Sequence, residues 1–152
     1  MAITWNTYDE LVALVLQGNV DRGAQWLDEY DPTWYNRINI DWLELSNGAD
    51  CICGQLFIDN LLDENGWQIY DDGYDYATSE LMSQSEAYQH GFRCGTHEVL
   101  PYGDTTFDKC VYFSDPYKQY DFLGTAWVGK IRDRRFADIV AKYDFDSYFV
   151  TV

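Results

Sequence analysis

Apolar residues fall in helical rather than alternating order over most of this chain. Thr7, with Glu10 three residues on, has the spacing of a capping box, and Leu11, Val12, Leu14, Val15 and Leu16 follow. Gly18 is expected to end that helix and Asn19 to cap a second, in which Val20, Ala24, Leu27 and Tyr30 recur near one face. Asp31-Pro32 restarts the chain, Asp31 as a cap and Pro32 in the first turn. Residues 38–48 read as a connector anchored by Ile38, Ile40, Trp42, Leu43 and Leu45. Asp50 is expected to cap a third helix running to Ile58, with Ile52 and Leu56 four apart.

Residues 59–77, rich in Asp, Asn, Gly and Tyr, read as loops. Thr78 is placed as the cap of a helix reaching His90 and closed by Gly91. Residues 93–115 break the pattern: Pro101 and Gly103 punctuate them, and Thr105 to Phe113 is rich in β-branched and aromatic residues. A small β-hairpin or irregular insertion is expected there. Asp115-Pro116 opens a helix in which Tyr120, Leu123, Trp127 and Ile131 share a face, with Phe136, Ile139, Val140 and Tyr143 continuing at helical spacing. A strand-like end, Tyr148 to Val152, follows. The expected class is α+β, dominated by helix, with residues 1–152 forming one domain.

Charge changes the picture from fold to function. Between Arg37 and Arg93 no lysine or arginine occurs, while eleven acids do: Asp41, Glu44, Asp50, Asp59, Asp63, Glu64, Asp71, Asp72, Asp75, Glu80 and Glu86. The same window holds Trp42, Phe57, Trp67, Tyr70, Tyr74, Tyr76, Tyr88 and Phe92, aromatics that a disordered acidic tail would lack. The net charge is −16, polarised along the chain: residues 1–127 carry −17 and residues 128–152 carry +1. Such a surface repels anions and attracts cationic partners. It disfavours direct binding to nucleic acid or to an anionic membrane, because no basic stripe exists beyond Lys130, Arg132, Arg134 and Arg135. The bland readings of that cluster are complementing a helix dipole and pairing with the domain's own acids. An acidic proteome would also yield an acidic surface with no binding role.

No positively charged leader precedes the first apolar run, and Leu11 to Leu16 is too short to span a bilayer, so a cytoplasmic home with reduced thiols is expected. Cys51, Cys53, His90, Cys94, His97 and Cys110 are the candidate metal ligands. Their C-x-C and His-x3-Cys-x2-His spacings differ from those of structural zinc sites, and Cys51 and Cys53 lie on an apolar helix, so no metal is assigned. Asp63-x-Asn65-Gly66 with Asp72 matches a calcium loop only in part: Leu61 stands at the first ligand position and Asp72 replaces the closing Glu. No cofactor fingerprint, nucleophile elbow, zinc-protease motif or phosphate loop occurs, and no catalytic residue is assigned.

Two blocks of the chain carry a resemblance. One is Gly23-Ala24-Gln25-Trp26-Leu27-Asp28-Glu29 with Pro32 and Trp34, then Arg37-Ile38-Asn39-Ile40-Asp41 and Cys51-Ile52-Cys53-Gly54-Gln55-Leu56-Phe57. The other is Tyr120-Asp121 with Leu123, Ala126-Trp127, Ile131 and Arg134-Arg135. In these the chain resembles an uncharacterised group of small proteins of actinobacteria and their phages. The related sequences usually carry an aliphatic residue at Cys53, which implies a packing role there, and residues 93–115 look like an insertion. The resemblance implies a setting among phage or mobile-element accessory genes, hence a host-cell cytoplasm, and carries over no activity.

Charge and setting together suggest an inhibitor that imitates nucleic acid toward a basic nucleic-acid-binding protein, such as a restriction or CRISPR effector. Asp59, Asp63 and Glu64 would form one cluster and Asp71, Asp72 and Asp75 another, with Glu80 and Glu86 following. Tyr70, Tyr74 and Tyr76 would supply contact area. The alternatives are a host-takeover or regulatory adaptor that binds through an apolar, tyrosine-rich surface, and a nucleotide-binding protein with a pocket around Arg93, Lys109 or Arg132 to Arg135.

Overall fold

The computed structural model describes residues 5–94 and 116–143. Five α-helices appear: α1 (Trp5–Tyr30), α2 (Ile52–Leu56), α3 (Gly73–Glu80), α4 (Gln84–Gln89) and α5 (Pro116–Tyr143), with 3₁₀ turns at Trp34–Arg37, Ile40–Trp42 and Ile58–Asn60. α1 and α5 form the main helix pair and run in the same direction, since Asp21 meets Lys130 and Asp28 meets Arg134. The described part of the segment between them, residues 31–94, wraps the pair, with α4 against α1 and the turn Trp34–Arg37 against α5. Among the described residues the only β feature is the antiparallel bridge between Leu62 and Gln68. The helix-dominated expectation stands. The hairpin expected at 93–115 falls almost wholly on residues outside those described.

α1 is one helix, where Gly18 and Asn19 were expected to divide it in two. A glycine inside a helix costs roughly 1 kcal/mol, whereas burying one valine or leucine returns about 1.5–3 kcal/mol. Val12, Val15 and Leu16 before Gly18, and Val20, Ala24 and Leu27 after it, are all buried. The Asn19 side chain accepts from Arg22 on its own helix and caps nothing.

Three caps differ from expectation in register. α2 starts one residue late, because the buried Cys51 sulfur accepts from the Gly54 N–H at 3.3 Å in place of Asp50. The stretch expected to be one helix capped by Thr78 is two. Asp72 caps α3, while Thr78 lies inside it, its hydroxyl donating to the Tyr74 carbonyl at 2.9 Å. Ser83 and Glu86 cap α4 reciprocally. Asp31 accepts from Thr33 and Arg37 in the turn ahead of Trp34–Arg37.

Aromatic rings join the wrap to the helix pair. Trp127 stacks on Phe92 at 5.6 Å and meets Trp34 edge-on at 5.7 Å, while its indole N–H donates to the Gly91 carbonyl at 2.6 Å. Leu123, Trp127 and Ile131 are fully buried, as their spacing predicts, and Tyr120 packs against them. Ile38 and Leu45 are buried anchors of the connector, but Trp42 is 71% exposed. No described helix is long and apolar enough to cross a membrane.

Candidate protein-docking surface

The segment from Ile58 to Glu80 carries most of the residues expected at a partner surface. Its first part, Ile58–Asn60, packs on α3. Between them lies a tight turn. The Asp63 carboxylate accepts from the N–H groups of Asn65 and Trp67, both at 2.9 Å, and the Asp63 N–H donates to the Trp67 carbonyl at 2.8 Å. Gly66 sits at φ +82°, a conformation that costs glycine little and other residues more. The Leu61 carbonyl accepts from Ile69 and Tyr70, closing the turn ahead of α3. Here Asn65-Gly66, set between apolar residues, is a strong hairpin signal, more informative than the partial calcium spacing around it.

At α3 the acids hold one another's backbone. Asp72 accepts from the Asp75 N–H at 2.7 Å, and Asp75 accepts from the Asp71 N–H at 2.9 Å. The Tyr70 hydroxyl donates to Glu80, and the Tyr70 and Tyr76 rings meet edge-on at 5.2 Å. The Glu80 carboxylate, with some help from burial, pushes the Tyr70 phenol up to about 12, so it stays a neutral donor. The structure therefore brings together Asp71, Asp72, Asp75, Glu80, Tyr70 and Tyr76, with Asp59, Asp63 and Glu64 on the adjoining turn.

Two expected members stand apart. Tyr74 is buried with its ring beneath the Arg93 guanidinium, 4.3 Å from the ring centre, and offers little contact area. Glu86 belongs to the α4 capping box, and α4 packs on α1. Asp63, Asp72, Asp75 and Glu80 remain at the surface but also build the local fold, whereas no described hydrogen bond engages the exposed carboxylates of Asp59, Glu64 and Asp71.

The helical bases do not neutralise this surface. Lys130 pairs with Asp21 at 2.8 Å and Arg134 with Asp28 at 2.7 Å, both acids of α1. Arg135 donates to the carbonyls of Tyr35 and Ile38, and Arg37 pairs with Asp31. Lys130, Arg134 and Arg135 lie mid-helix in α5, not at a helix end. Among the described residues no acid of the 38–92 window takes part in an ion pair.

Apolar side chains share the surface, and these the sequence reading passed over. Ile58, Leu62, Trp67 and Ile69 are each more than half exposed. Leu62 and Gln68 face each other across the bridge and share a side, which leaves the other side to Trp67 and Ile69. With both sides exposed, the turn stands off the body.

No group of three or more His, Cys, Asp or Glu able to hold a metal occurs among the described residues. Burial raises the Cys51 thiol to about 11 and the Cys94 thiol to about 12. The His90 ring stacks on Phe92 and lies 2.6 Å from the Glu86 carbonyl. His97 and Cys110 lie outside the described residues. An open groove of about 940 Å³ runs between residues 43–46 and α5, lined by Leu43, Leu45, Gly124 and Val128 with Glu44, Asp121 and Arg132 at its walls. No protein family, curated protein or solved structure matches this chain.

Proposed function

We propose that this chain is a non-enzymatic inhibitor that docks its Ile58–Glu80 surface on the cationic groove of a nucleic-acid-binding protein and takes the place of nucleic acid there. The observation that carries the reading is that, among the described residues, the window's carboxylates form no ion pair while Lys130, Arg134 and Arg135 of α5 are engaged with α1 and nearby carbonyls. Duplex DNA carries one charge per about 1.7 Å of axis, and proteins that grip it present arrays of lysine and arginine. Carboxylates fixed by caps and a stapled turn meet such an array with little further ordering cost. The resemblance to actinobacterial and phage proteins favours a restriction or CRISPR effector as the target.

A specific observation favours a second reading, a host-takeover or regulatory adaptor: exposed Trp67, Ile69, Leu62 and Ile58 beside the acids supply apolar anchors that a pure charge mimic does not need. A nucleotide-binding role finds less support. Arg134 and Arg135 are engaged in the fold, and Arg132 shares its groove with Glu44 and Asp121.

The test is capture from a nuclease-treated host extract on the immobilised chain. Mimicry expects a basic nucleic-acid-binding protein that duplex DNA or RNA displaces and that the Asp71→Asn/Asp72→Asn/Asp75→Asn chain fails to hold. Capture that survives those substitutions but is lost with Trp67→Ser selects the adaptor.

A further inference from the structure

The dipeptide Asn-Gly occurs twice in this chain, at Asn47-Gly48 and at Asn65-Gly66. It is prone to a spontaneous reaction, because glycine sets no side chain against the approach of its own nitrogen to the asparagine amide carbon. Closing that ring needs the asparagine side chain and the following peptide plane to turn toward each other. The fold holds the first site against this movement. The Asn47 Oδ1 accepts from the Ala49 N–H at 2.8 Å, and the Asn47 carbonyl accepts from the N–H groups of Asp50 and Cys51. The Gly48 carbonyl accepts from the Tyr74 N–H at 3.2 Å, in the first turn of α3. A Cβ at Gly48 would fall on the Asp72 carboxylate, so the α3 cap packs directly on the glycine. Turning this peptide would pull on α2 and α3 together.

Asn65-Gly66 lacks those restraints. Both residues are exposed, and no described hydrogen bond engages the Asn65 side chain. Nothing lies within 4 Å of a Cβ built on Gly66. The Gly66 N–H donates to the Asp63 carbonyl at 3.1 Å, and the Asn65 N–H to the Asp63 carboxylate at 2.9 Å. These bonds are local to the exposed turn and involve no core residue. Such surface turns open at low free energy, whereas movement at Gly48 is tied to buried elements.

We propose that Asn65 is a self-modifying site, converted by its own backbone to aspartate and isoaspartate. The Gly66 nitrogen loses its proton and bonds to Asn65 Cγ. The Cγ–Nδ2 bond breaks, and Nδ2 leaves as ammonia with that proton. Water then opens the succinimide. Breaking the new bond to Cγ leaves aspartate, and breaking the original peptide bond leaves isoaspartate, in which the main chain runs through the side-chain carbon. Either product adds one negative charge to a chain of net charge −16, beside Asp63 and Glu64. Isoaspartate also lengthens the main chain between the Asn65 and Trp67 N–H groups that the Asp63 carboxylate holds, so it loosens the seat of Trp67. The reaction needs only the turn and water, so it does not depend on the function proposed above.

Peptide mass spectrometry of the full chain, incubated in neutral and in mildly alkaline buffer, tests this. The expected result is exchange of the side-chain NH2 for OH at Asn65 at least about tenfold faster than at Asn47, because the turn opens more readily than the Gly48 peptide. Aspartyl and isoaspartyl peptides should both form, faster in the alkaline buffer, with a matching acidic species on isoelectric focusing. In urea, which removes the restraints on Asn47, the two sites are expected to convert at similar rates. Asn65→Gln should abolish the acidic species. Equal rates at the two sites in the folded chain overturn the proposal. So does an Asn65 that stays intact when folded yet converts in urea, or an acidic species that persists in the Asn65→Gln chain.

Discussion

Asp72 and Asp75 each serve the fold and the surface together, and an asparagine separates the two roles. Asp72 caps α3 through a side-chain oxygen, and asparagine caps about as well as aspartate, while alanine at such a site costs about 1 kcal/mol. Asp71→Asn, Asp72→Asn and Asp75→Asn together should therefore leave the urea midpoint nearly unchanged, and Asp72→Ala alone should lower stability by about 1 kcal/mol. A binding loss in the asparagine chain then reports charge, not unfolding. The cysteines give a second residue-scale prediction. Burial raises the Cys51 and Cys94 thiols from 9.0 to about 11 and about 12. Their folded forms hold the proton after the unfolded forms release it, so stability is complete below pH 9 and falls as pH rises toward those values. Each thiol should add to that decline between its unfolded and folded values. Denaturation midpoints measured from pH 8 upward check this, and Cys94→Ala should flatten the decline.

Among the elements, what was legible and what was not divides by the kind of force involved. The face of α5 from Leu123 to Ile131 was readable because burial follows spacing. The continuity of α1 was not, because Gly18 is a local signal and the buried stripe on both sides of it outweighs that signal. Ser83-x-x-Glu86 and Asn65-Gly66 carry local signals too, but Ser83 falls inside the stretch expected as one helix from Thr78 to His90, and Asn65-Gly66 inside the acid-rich stretch expected as loop. Cys51 as a cap was not readable, since a sulfur accepts well only where burial leaves no better oxygen. The candidate site was legible in its charge but not in its apolar members: the spacing of residues 59–77 assigns Trp67 and Ile69 to no face, and the turn at Asp63 carries them out to solvent. Close approach of elements leaves its own trace. A Cβ at Gly23 of α1 would fall on the His90 carbonyl oxygen and lie 3.0 Å from the Trp127 ring. Gly23→Ala should therefore destabilise by about 1–3 kcal/mol, an overpacking cost read directly from thermal or urea unfolding.

For the whole molecule, a net charge of −16 with few described ion pairs means self-repulsion in the folded state. Added salt that is not itself denaturing should raise the melting temperature by a few degrees, whereas a surface already neutralised would show little response. Salt should weaken attachment to a cationic target over the same range, so stability and binding are expected to move in opposite directions. The most direct measurement of the central claim follows from that opposition. The captured target is titrated with the chain across a series of salt concentrations, alone and with duplex DNA or RNA as competitor. The account predicts affinity that falls steeply with salt, competition by nucleic acid, and a shallower salt dependence in the Asp71→Asn/Asp72→Asn/Asp75→Asn chain. Affinity indifferent to salt and to nucleic acid would contradict it.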